Sequence, residues 1–175
     1  MDKLDIVTDE SGNEVVLLPE IIFSNKQNIN WNDVEDYLGK YVGELIEIAE
    51  TRDIIYIGNK FPDEYGGSSY TRKTKGARAK AKANAAQGIR EMVEIATDKV
   101  YRENHKEKHS EDVHNGWFYY VTRFAIPLYN NEKKTGEYNV YSACLVVNHA
   151  ANGKMYLYDV VGIKKEASNP LKTIK

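Results

Sequence analysis

A single cysteine, Cys144, stands in 175 residues. An intrachain disulfide and a Cys-rich zinc site are thereby excluded. A reducing compartment fits this usage. No apolar run approaches the roughly 18 residues of a spanning helix, so no membrane partner is expected. The start, Met1-Asp2-Lys3-Leu4-Asp5, has neither the basic nor the apolar region of a Sec-type signal. The phosphate-cradling Gly-x-x-x-x-Gly-Lys-Ser/Thr pattern is missing around Gly76, and no Ser-nucleophile motif is present. His105-x-x-x-His109 has metal-ligand spacing on a helix, but without Cys or His-Glu-x-x-His the sequence predicts no metal and no cofactor.

Net charge is also nearly absent, at −2. That figure is a cancellation. Residues 1–71 hold 15 acids and 5 bases, residues 72–109 hold 5 acids and 11 bases, and residues 110–175 hold 6 acids and 8 bases. An acidic front, a basic middle and a mildly basic tail point to polyanion contact or to internal electrostatic docking. The composition, 42% hydrophobic and 29% charged, is that of an ordinary folded domain.

Hydrophobic patterning predicts short strands near Leu4–Val7 and Val15–Phe23, the latter interrupted by Pro19. Asn30 or Asn32 caps a helix over Trp31–Lys40. Gly43–Ala49 and Asp53–Gly58 alternate as a strand pair, and Asn59–Ser69 reads as loop. Thr71 to about Thr97 reads as one long helix, weakened at Gly88. Lys99–Asn115 is polar. Trp117–Pro127, Tyr138–His149 and Met155–Ile163 are strands, joined by a Tyr129–Glu137 loop and a tight Asn152-Gly153 turn. The expectation is an α+β fold. A long helix packs on a C-terminal antiparallel meander (65–175), preceded by a small acidic α/β extension (1–64).

Arg72, Lys73, Lys75, Arg78, Lys80 and Lys82 fall within eleven residues that contain no acid. Such a stretch can track a phosphate backbone, with Tyr65 and Tyr70 placed to stack on bases. Arg72, Lys73, Lys75, Arg78 and Lys82 are the expected nucleic-acid contacts. His105, His109 and His114 precede the meander, and His149 ends its middle strand. A metal-independent ribonuclease needs a base, an acid and a cation on the phosphate. His109 or His149 suits acid–base work, Glu111 or Asp112 suits orienting an imidazole, and Arg123 suits the phosphate. Along that strand Trp117, Tyr119, Val121, Arg123 and Ala125 share one face. Phe118, Tyr120, Thr122, Phe124 and Ile126 share the other, which is the better core face. Arg123 would then face outward, or else pair with Asp112, Glu137 or Asp159. Cys144, inside an apolar strand, reads as buried packing.

Several segments carry a resemblance. They are Tyr70-Thr71-Arg72, Lys75-Gly76-Ala77, Ala79 through Ile89, Glu94–Thr97, Lys108-His109 with Asp112, Gly116–Tyr120, Arg123–Pro127, and Leu157–Val161 with Ile163–Glu166. Over residues 65–168 the chain resembles domains at the ends of MuF-type minor capsid proteins and large phage polyvalent proteins of Firmicutes. These are similar to the barnase/EndoU/colicin/RelE nuclease superfamily. The resemblance implies a phage or mobile-element protein in the cytoplasm of a host bacterium, with an RNA-cleaving toxin- or effector-type domain. Lys80, His109, Tyr120 and Arg123 would be its catalytic residues and RNA its partner. The alternative is a non-enzymatic phage protein that binds and inhibits a host defence factor, its acidic N-terminal region occupying a basic groove.

Overall fold

The computed structural model describes residues 3–24, 28–103, 116–166 and 170–172. Its centre is the meander: β6 (Trp117–Asn130), β7 (Lys133–His149) and β8 (Met155–Lys165), each antiparallel to the next. Two short hairpins flank it. β1 (Ile6–Thr8) and β2 (Glu14–Leu17) attach through β2, parallel to β6. β3 (Leu45–Glu47) and β4 (Ile54–Tyr56) attach through β4, parallel to β8. β5 (Thr97–Arg102) pairs with the first part of β6, and β9 (Leu171–Lys172) pairs with β7. The class is α+β as expected, but the sheet is mixed rather than a simple antiparallel meander, and strands dominate.

Sequence logic explains where elements stop. β2 ends at Leu17, before Pro19, which lacks a ladder donor. α1 (Trp31–Leu38) begins where the Asn30 side chain accepts from the Asn32 and Asp33 amides. The stretch expected as a loop after Tyr129 is strand almost throughout. It turns on Asn131 and Glu132, both at positive φ (49° and 67°), the combination a two-residue primed turn requires.

The single long helix is not formed. It is divided into α3 (Ser69–Lys73), α4 (Gly76–Ala85), a 3₁₀ turn (Ala86–Gly88) and α5 (Ile89–Glu94). Thr74 and Lys75 are extended and Gly76 follows at φ +64°, which together end continuity with α3. At Gly88 a Cβ would stand 3.1 Å from Leu18 Cδ2 and 3.3 Å from Val16 Cγ1, so β2 approaches closely only because the side chain is missing. The stretch read as loop before it contains α2 (Phe61–Gly67), where Pro62 occupies the first turn that proline tolerates.

One core cluster runs from Val16 to Ile163. It joins Val34, Leu38, Ile46 and Ile55 of the front segment to Ala79, Ala83, Ile89 and Met92 of the helices and to Tyr120, Phe124, Leu145 and Val160 of the sheet. The division expected after residue 64 falls inside α2. Among the described residues no helix is long and apolar enough to cross a membrane.

Candidate nucleic-acid interface

The basic stretch separates into two kinds of residue. From Ala79 onward α4 is buried on nearly all sides, because the front segment covers one flank and the sheet the other. Before Ala79 the chain lies at the surface. Arg72, Lys73, Lys75 and Arg78 are all exposed. Among the described residues Lys3, Arg52, Lys82, Arg90, Lys99 and Arg123 each pair with a carboxylate, whereas these four pair with none. The start of α4 adds a second positive element. Lys75 caps it without a side-chain hydrogen bond, and its first turn holds no acid.

Lys82 leaves the set of nucleic-acid contacts. Its side chain is wholly buried, and Nζ donates to Asp159 Oδ1 and to Thr71 Oγ1, each at 2.6 Å. The ammonium also lies 4.6 Å from the Tyr65 ring centroid and 5.0 Å from that of Tyr70. Burial pushes the lysine's pKa down and that of Asp159 up; the charge of each partner opposes both shifts. Tyr65 is no stacking platform either: it is fully buried and its hydroxyl donates to the Lys82 carbonyl. Tyr70 is half-buried, its hydroxyl accepting from the Ile163 amide at 2.9 Å. The residues next along the helix are clamps as well. Asn84 accepts from the Ile22 and Phe23 amides and donates to Phe23 O. Gln87 donates to Glu20 O. The part of the resemblance that runs from Lys82 to Gly88 is therefore a set of fold contacts.

Of the four expected catalytic residues three are described, and Tyr120 and Arg123 lie on opposite faces of β6. His109 lies outside the described residues, with His105, His114, Glu111 and Asp112. Tyr120 is buried on the core face, and its hydroxyl donates to Asp53 Oδ2 at 2.7 Å. Burial and the neighbouring Asp53 push its pKa far up. Lys80 is half-buried on α4, which packs on that same core face. Arg123 lies on the opposite face of β6, because strand side chains alternate. Arg123 Nε donates to Glu166 Oε1 at 2.6 Å, a partner different from the three expected. His149 packs its ring against Phe118, 5.5 Å between centroids, and so shares the core side of the sheet rather than that of Arg123.

Of the five residues expected on the outward face of β6, Ala125 is instead buried in a second small core with Val15 and Leu17. Trp117, Tyr119, Val121 and Arg123 are half-buried on that face, and the Arg102 guanidinium lies 5.5 Å over the Tyr119 ring. Cys144, expected in the core, is half-buried and lines a cavity of about 270 Å³ with Arg102, Tyr119 and Val121. Burial pushes its thiol pKa up, which disfavours a reactive thiolate.

Two features escaped the sequence reading. Asp53 accepts from both Tyr120 and Lys99, the ammonium at 2.8 Å. Burial pushes Asp53 up, but hydrogen bonds from Lys99, Tyr120 and Thr51 outweigh it and hold the carboxyl below its ordinary value of 3.8. Nothing local marks a residue 67 positions from its partner. The second feature is the carboxylate crowd on α1 and α2. Burial, then Asp63 and Asp36, raise the pKa of Glu35. Comparison with known proteins returns no matching family model, no matching curated protein and no matching solved structure.

Proposed function

We propose that the chain is an RNA-binding protein of the phage or mobile-element, nuclease-like kind, holding RNA phosphates along Arg72, Lys73, Lys75 and Arg78. The observation that carries this reading is density: among the described residues, four exposed cations fall within seven residues with no carboxylate partner and no acid in the surrounding stretch 72–82. Unpaired cations lose no salt bridge when a phosphate arrives, and each releases condensed counterions from the RNA. The uncapped start of α4 favours an anion at the same place.

Binding to a fluorescein-labelled 12-nucleotide single-stranded RNA tests this. The variant R72A/K73A/K75A/R78A keeps good helix formers at surface positions, so it folds, and it loses most of its affinity. Unchanged affinity refutes the reading. Strand cleavage is the further step the resemblance implies. It requires RNA breakdown in EDTA by the wild type and its loss in both His109→Ala and Arg123→Ala.

One observation favours a second reading, a basic protein partner on the acidic side. Asp33, Asp36 and Asp63 are exposed around Glu35 on α1 and α2. Capture of one host protein by the wild type and not by D33N/D36N/D63N supports it; equal capture by both refutes it.

A further inference from the structure

A cavity of about 430 Å³ opens where the β7–β8 turn meets the start of α2. It is of the size that holds small ligands. Tyr156, Tyr158, Phe61, Asn148 and Asn152 line it. Two of these side chains are fixed from outside the cavity. The Tyr156 ring packs on Tyr56, 5.6 Å between centroids, and lies 3.4 Å from where a Cβ on Gly58 would stand. Its hydroxyl accepts from Asn152 Nδ2 at 3.3 Å. The Tyr158 ring meets Trp117 edge-on at 5.0 Å. The aromatic walls are thus set before any ligand enters.

Asn148 is the exception. It stands on β7 between Trp117 of β6 and Tyr156 of β8 in the ladder. Its Oδ1 is shielded from water and has no hydrogen-bond partner among the described residues. Native folds seldom leave a buried amide oxygen unsatisfied, and an orphan of this kind asks for a missing partner. Its terminal torsion is soft, so the amide turns easily toward the cavity. An amide beside aromatic rings is matched by a planar group with a donor and an acceptor on one edge. Adenine has that edge, and Asn pairs with it through two hydrogen bonds.

We propose that this cavity is an adenine-binding site, with Asn148 reading the base edge and Tyr156 and Tyr158 providing the ring faces. The base comes either from a free adenine nucleotide or from an unpaired adenine in an RNA strand. The site uses none of the four surface cations, so it stands or falls separately from the RNA-binding reading.

Calorimetric titration of the full chain with AMP, CMP, GMP and UMP, and with r(A)8 and r(U)8, tests it. AMP bound in preference to the other three nucleotides, or r(A)8 bound in preference to r(U)8, is the expected result; the first identifies a free nucleotide and the second an RNA base. Asn148→Leu weakens that preference by about tenfold or more. It melts no lower than the wild type, because an orphan amide is replaced by an apolar group of the same size. R72A/K73A/K75A/R78A retains AMP binding even where it loses r(U)8. Absence of any adenine preference overturns the proposal. So does a preference that survives in Asn148→Leu, or an Asn148→Leu chain that melts well below the wild type, which assigns the amide a purely structural role.

Discussion

Lys82 stands in a run of surface-like residues, yet it is buried whole against Asp159, 77 positions away. The pair ties α4 to β8, and Thr71 ties it to α3. Removing one partner strands the other charge in the interior, at a cost of about 3–5 kcal/mol. Lys82→Met is therefore expected to lower the unfolding free energy from denaturant titration by that much, and the double variant Lys82→Met/Asp159→Leu to recover most of it. RNA affinity of the refolded double variant should equal the wild type, since Lys82 touches no solvent. Asp53 makes the acid-side prediction. Its carboxyl titrates lower in the folded chain than in the unfolded one, so its contribution is complete above 3.8 and fades as pH falls through the lower folded value. Asp53→Asn should lower stability at neutral pH and flatten the stability loss below pH 3.8 in acid titrations followed by circular dichroism. Burial of Lys82 was not legible in the sequence: alternation of Lys with Ala reads the same whether a helix is covered on one side or on all sides.

At the scale of elements, strong periodicity was readable and exceptions were not. The three meander strands, α1 with its Asn30 cap and the β3–β4 hairpin follow from aromatic and β-branched alternation and from a capping amide. β5 escaped because Asp98, Lys99 and Arg102 make it polar, which suits a strand with exposed side chains. α2 escaped because Pro62, Gly66 and Gly67 signal a loop unless proline is known to sit in a helix's first turn. The long helix broke at Thr74–Gly76, where the backbone is extended and then turns to positive φ, and at Gly88, where the close approach of Leu18 and Val16 overrides the propensity of alanine. Gly88 gives the test. A methyl group there presses on Leu18 and Val16, both fully buried, and overpacking costs about 1–3 kcal/mol. The backbone gain from replacing glycine returns only about 0.4–1 kcal/mol. Gly88→Ala is expected to destabilise by about 1 kcal/mol in urea denaturation.

Over the whole molecule, two hairpins from the acidic front embrace a meander from the basic remainder, and each joins it by a parallel pair. Front and remainder share one core, so the charge split along the chain becomes a split between surfaces rather than between modules. The acidic surface lies on α1 and α2, and the basic one at the α3–α4 junction. The sequence pointed to that basic surface because acids are missing from residues 72–82 over three turns' length of chain. It did not show which cations point outward, since that depends on what covers α4. Alternation did place Tyr120 and Arg123 on opposite faces of one strand, but it did not show that the helix of Lys80 packs on the face of Tyr120, a matter of packing partners rather than of local pattern. The central claim is that Arg72, Lys73, Lys75 and Arg78 contact phosphate, and the salt dependence of RNA affinity measures it most directly. For single strands log K falls against log salt by about 0.7 per phosphate neutralised. Three or four contacts predict a wild-type slope of about −2 to −3, and a slope near zero in R72A/K73A/K75A/R78A. A wild-type affinity that ignores salt, or a variant with the wild-type slope, would contradict the account.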